Sequence, residues 1–156
     1  NAERYSDSNR KVAYLRTNQR DRAIINISEI RETLLEYGYF EDSDQAARFN
    51  DVVSETLTIK KFITVSGSSV FRMMFSNQPE ALIEIVPPGF DRKTFCFLLS
   101  FELGASFSCL QALEAPTFAG QLAYWQGSND PRKITNALYV PPSKLSELLL
   151  EQPRDC

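Results

Sequence analysis

The sequence predicts an α/β fold: a doubly wound, mostly parallel sheet with helices on both faces. Three observations predict it. Short apolar runs recur at 11–15, 62–65, 81–86 and 106–110, separated by stretches in which apolar residues keep helical spacing. Ala81-Leu82-Ile83-Glu84-Ile85-Val86 is almost continuously apolar, as a strand buried on both faces should be, and Pro87-Pro88-Gly89 ends it. The run from Lys60 to Phe75 reads as a strand, a small-residue turn and a helix start, the arrangement in which backbone N–H groups face an anion.

Taken in order, residues 1–10 are polar and aperiodic and form a lead-in, 11–150 form one domain, and 151–156 are a tail. The first strand, Lys11–Leu15, delivers Arg16 to its carboxyl end. Ile27, Ile30, Leu34 and Tyr37 mark an amphipathic helix with Ser28 as its cap, and Gly38 stands where a helix closes through positive φ. Tyr39–Glu41 is a short second strand. A helix within 45–59 presents Ala46, Phe49, Val52, Val53 and Leu57 on one face. Phe62–Val65 is the third strand, a helix begins near Ser69, and Ala81–Val86 is the fourth strand. A helix over Lys93–Gly104 leads to a fifth strand at Ser106–Leu110, residues 111–133 form an excursion, and Leu138-Tyr139-Val140 precedes a terminal helix, Ser143–Leu150, opened by Ser143.

The length of 156 residues with 43% hydrophobic content suffices for one sizeable core. Seventeen basic against twenty acidic residues provide no global field to collect nucleic acid or anionic lipid, so any anion site must be local. No run approaches the roughly 20 apolar residues of a membrane span, and the opening residues are too polar for a signal peptide; the expectation is a soluble domain. Cys96, Cys109 and Cys156 lack metal-ligand spacing and read as structural thiols, and no metal site is expected. With no histidine, a Ser-His-Asp triad and His-ligated metals are excluded within these residues. The chain opens at Asn1 rather than Met, which leads us to expect part of something longer.

Ligands of doubly wound sheets sit at the strands' carboxyl ends. That edge gathers Arg16, the turn Ser66-Gly67-Ser68-Ser69, and Glu84 with the residues that follow it. A diphosphate needs backbone donors plus one or two fixed cations; the turn would provide the first, and Arg16, Arg20, Arg22 or Arg72 the second. The competing reading is a plain polar helix start with solvated arginines. The turn is neither a Walker phosphate loop, having no Gly-Lys-Ser/Thr, nor a G-x-G-x-x-G fingerprint. Glu84 interrupts an apolar strand and needs a partner, either a ligand hydroxyl or an arginine such as Arg16 or Arg72.

These elements carry a family resemblance. The segment V-A-Y-L-R-x5-R-A-I-I-N-I-S-E, from Val12 to Glu29, resembles the part of glycosyltransferase family 61 in which a strand ending in Arg is followed by a second Arg, an apolar run, Asn and an acidic helix start; Arg16, Arg22, Asn26 and Glu29 fall on those positions. F-I-T-V-S-G-S-S-V-F-R-M-M-F, followed by A-L-I-E-I-V-P-P-G, resembles that family's glycine-rich turn, apolar helix and V-I-E-I-x-P strand. A terminal V-x-P-x-x-L begins at Val140. The resemblance spans about 11–150, with its specific part in 11–89.

The resemblance implies a GT-B-type architecture, of which this chain looks like the Rossmann-like, donor-binding half. It implies inverting transfer from a nucleotide sugar, with UDP the expected nucleotide, to a glycan or protein acceptor, without a tightly bound metal. Arg16, Arg22, Arg72, Ser66, Gly67, Ser68 and Ser69 would surround the diphosphate, and Glu84 would lie near the ribose or sugar. The catalytic base would belong to the acceptor side and is not identified. Partners would be the other half of the same enzyme or another protein, in the cytoplasm or the secretory lumen. Asn26-Ile27-Ser28 is also a glycosylation sequon.

The chain departs from the family's G-P-H-G-A-G: Ser66 stands in the histidine's place, and one glycine remains. A serine hydrogen-bonds a phosphate but offers it no positive charge. The departures support a competing reading, a noncatalytic relative that keeps the fold for binding or assembly. A third reading is a flavodoxin-like module without a nucleotide site.

Overall fold

A computed structural model describes residues 10–15, 22–42, 48–89, 95–115 and 137–152. Five strands form one sheet in the order β2-β1-β3-β4-β5: β1 (Arg10–Tyr14), β2 (Tyr39–Glu41), β3 (Ile59–Val65), β4 (Ala81–Val86) and β5 (Ser106–Gln111). Every pairing in it is parallel. The fold is the α/β, Rossmann-like doubly wound sheet that the sequence predicts.

The two faces are built differently. Ala13, Ile63, Val65, Ile83, Ile85 and Leu110 pack on one side with Ile30 and Leu34 of α1 (Ile27–Glu36) and with Leu145 and Leu149 of the terminal helix, Pro142–Glu151. Val12, Tyr14, Phe62 and Leu82 pack on the other with Val70 and Met73 of the segment after β3 and with Cys96 and Leu99 of the helix Phe95–Glu102. The strand period of two makes this division, since alternate residues point to opposite faces. Among the described residues, no helix is long and apolar enough to cross a membrane.

Local differences from the sequence expectations have identifiable causes. β3 starts three residues earlier than expected, at Ile59; Lys60 is carried in the strand because its ammonium reaches the carbonyls of Asn77 and Gln78. The segment after β3 is a 3₁₀ helix, Ser68–Phe75, instead of an α-helix; over eight residues the apolar positions 70 and 73 suit a period of 3.0 as well as 3.6. Its end is fixed by Ser76, whose hydroxyl donates to the Ile59 carbonyl. The second helix, α2 (Phe49–Thr56), buries only Thr56: it lies against the 3₁₀ helix rather than the sheet, with Phe49 edge-on to Phe75. Ala46 of its expected face lies outside the described residues.

Neither expected serine cap is used. Asn26 precedes α1, and its amide is committed elsewhere; Pro142 sits in the first turn of the terminal helix, where a missing N–H costs nothing. Gly38 adopts φ +75 after α1, and its N–H donates to the Leu35 carbonyl, as the helix-end reading requires. The helix Phe95–Glu102 is α3, and Pro142–Glu151 is α4. Between β5 and α4, β6 (Leu113–Glu114) and β7 (Leu138–Tyr139) pair antiparallel outside the main sheet. Most of the expected excursion lies outside the described residues.

Candidate functional site

In the order β2-β1-β3-β4-β5 the winding reverses between β1 and β3: α1 leaves β1 for β2, and the chain then returns past β1 to form β3. At such a reversal the two connections diverge and leave a crevice at the carboxyl ends of the strands. The residues flanking it here are Arg22, after β1, and Ser66-Gly67-Ser68, after β3.

Arg22 ties the two sides of that reversal together. Its Nη1 donates to the Ser66 carbonyl at 2.6 Å, joining the two strand ends across 44 residues of sequence. Its backbone has φ +60, a left-handed conformation that costs a non-glycine residue about 1 kcal/mol or more. The segment that follows holds this conformation in place. Ile25 N–H donates to the Leu138 carbonyl and Leu138 N–H to the Ala23 carbonyl, both at 2.9 Å, so residues 23–25 are laced to β7. Backbone strain kept by such over-determination concentrates at sites that bind or switch.

Across the crevice, Ser66 is buried and extends the β3–β4 ladder, its N–H donating to the Ile85 carbonyl at 2.8 Å. Gly67 is half-buried and Ser68 exposed. No side chain caps the 3₁₀ helix that starts at Ser68, so no capping group competes with a ligand for its first N–H groups. The field there is weaker than at an α-helix of the same length, because 3₁₀ hydrogen bonds are less well aligned.

Three expected site residues turn inward. Ser69 is buried, Arg72 is 7% exposed and Glu84 is 1% exposed. Glu84 lies in register with Thr64 of β3 and Cys109 of β5, and Thr64 lies in register with Tyr14 of β1. Tyr14, Thr64, Glu84 and Cys109 therefore form a row across four strands on the face that the 3₁₀ helix covers. Arg72 descends from that helix with its Cζ 4.8 Å from the centre of the Tyr14 ring. A cation desolvated over an aromatic face is held by the ring quadrupole. The arrangement makes Arg72 and Glu84 parts of a polar layer within the fold, one residue short of the strand ends at Val65 and two short at Val86.

Burial pushes the Tyr14 hydroxyl pKa up from 10.0 to about 12, with the positive charge of Arg72 opposing the shift. The hydroxyl is buried and makes no hydrogen bond of acceptable geometry. Because the folded-state pKa is the higher one, the unfolded chain loses its proton first, and stability falls as pH rises from 10 to about 12. Tyr14→Phe removes that loss. In urea titrations the variant should match the parent within about 1 kcal/mol at pH 7 and exceed it by about 1–2 kcal/mol near pH 11; parallel curves at both pH values would refute this reading of Tyr14.

The eight sequence-derived positions thus divide. Arg22, Ser66, Gly67 and Ser68 meet at the β1/β3 reversal, Ser69, Arg72 and Glu84 are internal, and Arg16 lies outside the described residues. Sequence reasoning missed Tyr14 beneath Arg72: alternation puts it on the same face of β1 as Val12, and only the register of β1 with β3 joins that face to Phe62 and Leu82. It also missed the role of Asn26. That amide donates to the Val140 carbonyl at 2.8 Å, accepts from the Val140 N–H at 3.1 Å and donates to Glu29 Oε2 at 3.1 Å. Both amide hydrogens are engaged, so a glycan on the Asn26 sequon would displace one of these bonds. The sequence matches no protein-family model, and no curated protein matches it.

Proposed function

We propose that this domain binds the diphosphate of a nucleotide sugar across the carboxyl ends of β1 and β3, as the donor-binding half of an inverting glycosyltransferase resembling family 61. The observation that carries the proposal is the Arg22 guanidinium fixed on the Ser66 carbonyl at the reversal of the sheet. This contact ties Arg22 to the first residue of the small-residue turn and brings a permanent positive charge to the Ser66 carbonyl. In inverting transfer an acceptor oxygen attacks the anomeric carbon, the bond to the diphosphate breaks with its electron pair, and charge grows on the leaving phosphate. The Gly67 and Ser68 N–H groups and Arg22 would stabilise that charge. The base that takes the acceptor proton is not assigned to this chain.

A second reading has its own observation. Arg72 and Glu84 belong to the polar layer and Ser69 is buried, so a structural role suffices to account for these residues of the resemblance. This favours a noncatalytic, glycosyltransferase-like module. Calorimetric titration with UDP and GDP separates the two. The donor-site reading expects a micromolar Kd for one of them, weakened at least tenfold by Arg22→Ala, which removes the clamp, and by Ser68→Leu, which fills the approach. No binding of either nucleotide to folded protein leaves the noncatalytic module.

A further inference from the structure

α3 is apolar on nearly every side, with Glu102 at its end the exception. Cys96, Leu99 and Ser100 face the sheet, while Phe95, Phe97, Leu98 and Phe101 point away from it. Leu98 is 59% and Phe101 73% exposed. A helix without a polar face is normally enclosed by protein on every side. The exposed apolar surface continues onto the 3₁₀ helix, where Phe71 and Met74 are exposed and the Phe71 ring lies 5.0 Å from that of Phe95. On the other flank Phe97 meets Phe107 of β5 edge-on at 5.8 Å.

We infer that this face is the interface of a two-fold homodimer in which α3 packs antiparallel against α3 of a second copy, flanked by Phe71 and Met74. Size is the first argument. With about 150–250 Å² to each aromatic side chain, the exposed parts of Phe71, Met74, Phe95, Phe97, Leu98 and Phe101 amount to roughly 600 Å² per chain. That is the upper end of the largest apolar patch a typical monomer exposes, and two copies would bury roughly 1,200 Å², the lower end of stable specific interfaces.

Charge is the second argument. Glu102, at the end of α3, is the helix's only charged residue, and Arg72 of the 3₁₀ helix is turned into the fold. A face with Glu102 as its one charged side chain meets itself across a two-fold axis with little opposition of like charges, and antiparallel packing keeps the two Glu102 side chains at opposite ends. Partners that associate transiently are instead met by surfaces as polar as the rest of the protein.

The inference does not rest on nucleotide binding. Sedimentation across micromolar concentrations should give twice the chain mass of 17.8 kDa, and Leu98→Glu or Phe101→Glu should each return the monomer with its circular dichroism spectrum unchanged. Phe40→Glu places the same charge on exposed β2 at the opposite edge of the sheet and should leave the dimer intact. A monomeric parent would overturn the inference, whether inert or bound to phosphatidylcholine vesicles. So would an open-ended series of larger species, or a dimer that survives both α3 substitutions.

Discussion

Arg72→Ala is expected to destabilise the domain by about 3 kcal/mol or more, the scale of removing one member of a buried charged layer. Among the described residues, Arg72 and Glu84 are the buried charges on the face covered by the 3₁₀ helix, and their opposite signs balance there. Truncation withdraws the cation from the Tyr14 ring, empties the space its stem fills and removes one of the two buried charged side chains on this face. The balance also predicts coupling. Urea unfolding of Arg72→Ala, Glu84→Gln and the double variant should give a double-variant cost at least 1 kcal/mol smaller than the sum of the single costs. Strict additivity would mean that the two groups sit in independent environments.

Asn26→Asp should cost about 2–3 kcal/mol, although it changes one group of nearly equal size. The Asn26 amide acts as a piece of strand, giving a hydrogen to the Val140 carbonyl and taking one from the Val140 N–H, and so ties the start of α1 to the approach of α4. A carboxylate has no hydrogen to give. It would face the Val140 carbonyl and the Glu29 carboxylate with its own negative charge. Both contacts disfavour ionisation, which raises the folded-state pKa of the new carboxyl above its unfolded value. The variant's deficit should therefore shrink as pH falls through the carboxylate range and be largest at neutral pH. A deficit below about 0.5 kcal/mol at pH 7 would show that the amide pair is dispensable.

How far the sequence disclosed this depends on the residue. β4 could be read residue for residue because a strand buried on both faces is almost continuously apolar, Glu84 being the exception, and Pro87-Pro88-Gly89 cannot continue it. The start of β3 was obscured by Lys60-Lys61, since a lysine reads as exposed; in the fold Lys61 is buried and the Lys60 ammonium is held by the carbonyls of the 77–78 turn. The turn after β3 was legible as small and polar, but a few apolar positions do not separate a 3₁₀ from an α-helical pitch.

The site divides along the same physical line. Strand alternation puts Glu84 on the same face as Leu82, yet whether a helix roofs that face is decided by packing between segments distant in sequence. The inward turn of Arg72 could not be read from its neighbours for the same reason. The Arg22 clamp depends on a left-handed backbone fixed by β7, more than a hundred residues away in the chain. The apolar outer face of α3 was visible as Phe97, Leu98 and Phe101, but amphipathicity assigns a buried side only when a polar side opposes it.

The most direct test of the central claim, a diphosphate site where the winding reverses, is a UDP titration followed at individual backbone amides by nitrogen-15 NMR, with GDP in parallel. The account predicts saturable shifts concentrated at Gly67, Ser68 and Arg22, smaller changes at Ser66, and none at the far ends of the strands around Arg10 and Ala81. Shifts confined to another surface, or none with either nucleotide while the spectrum remains that of a folded protein, would contradict it.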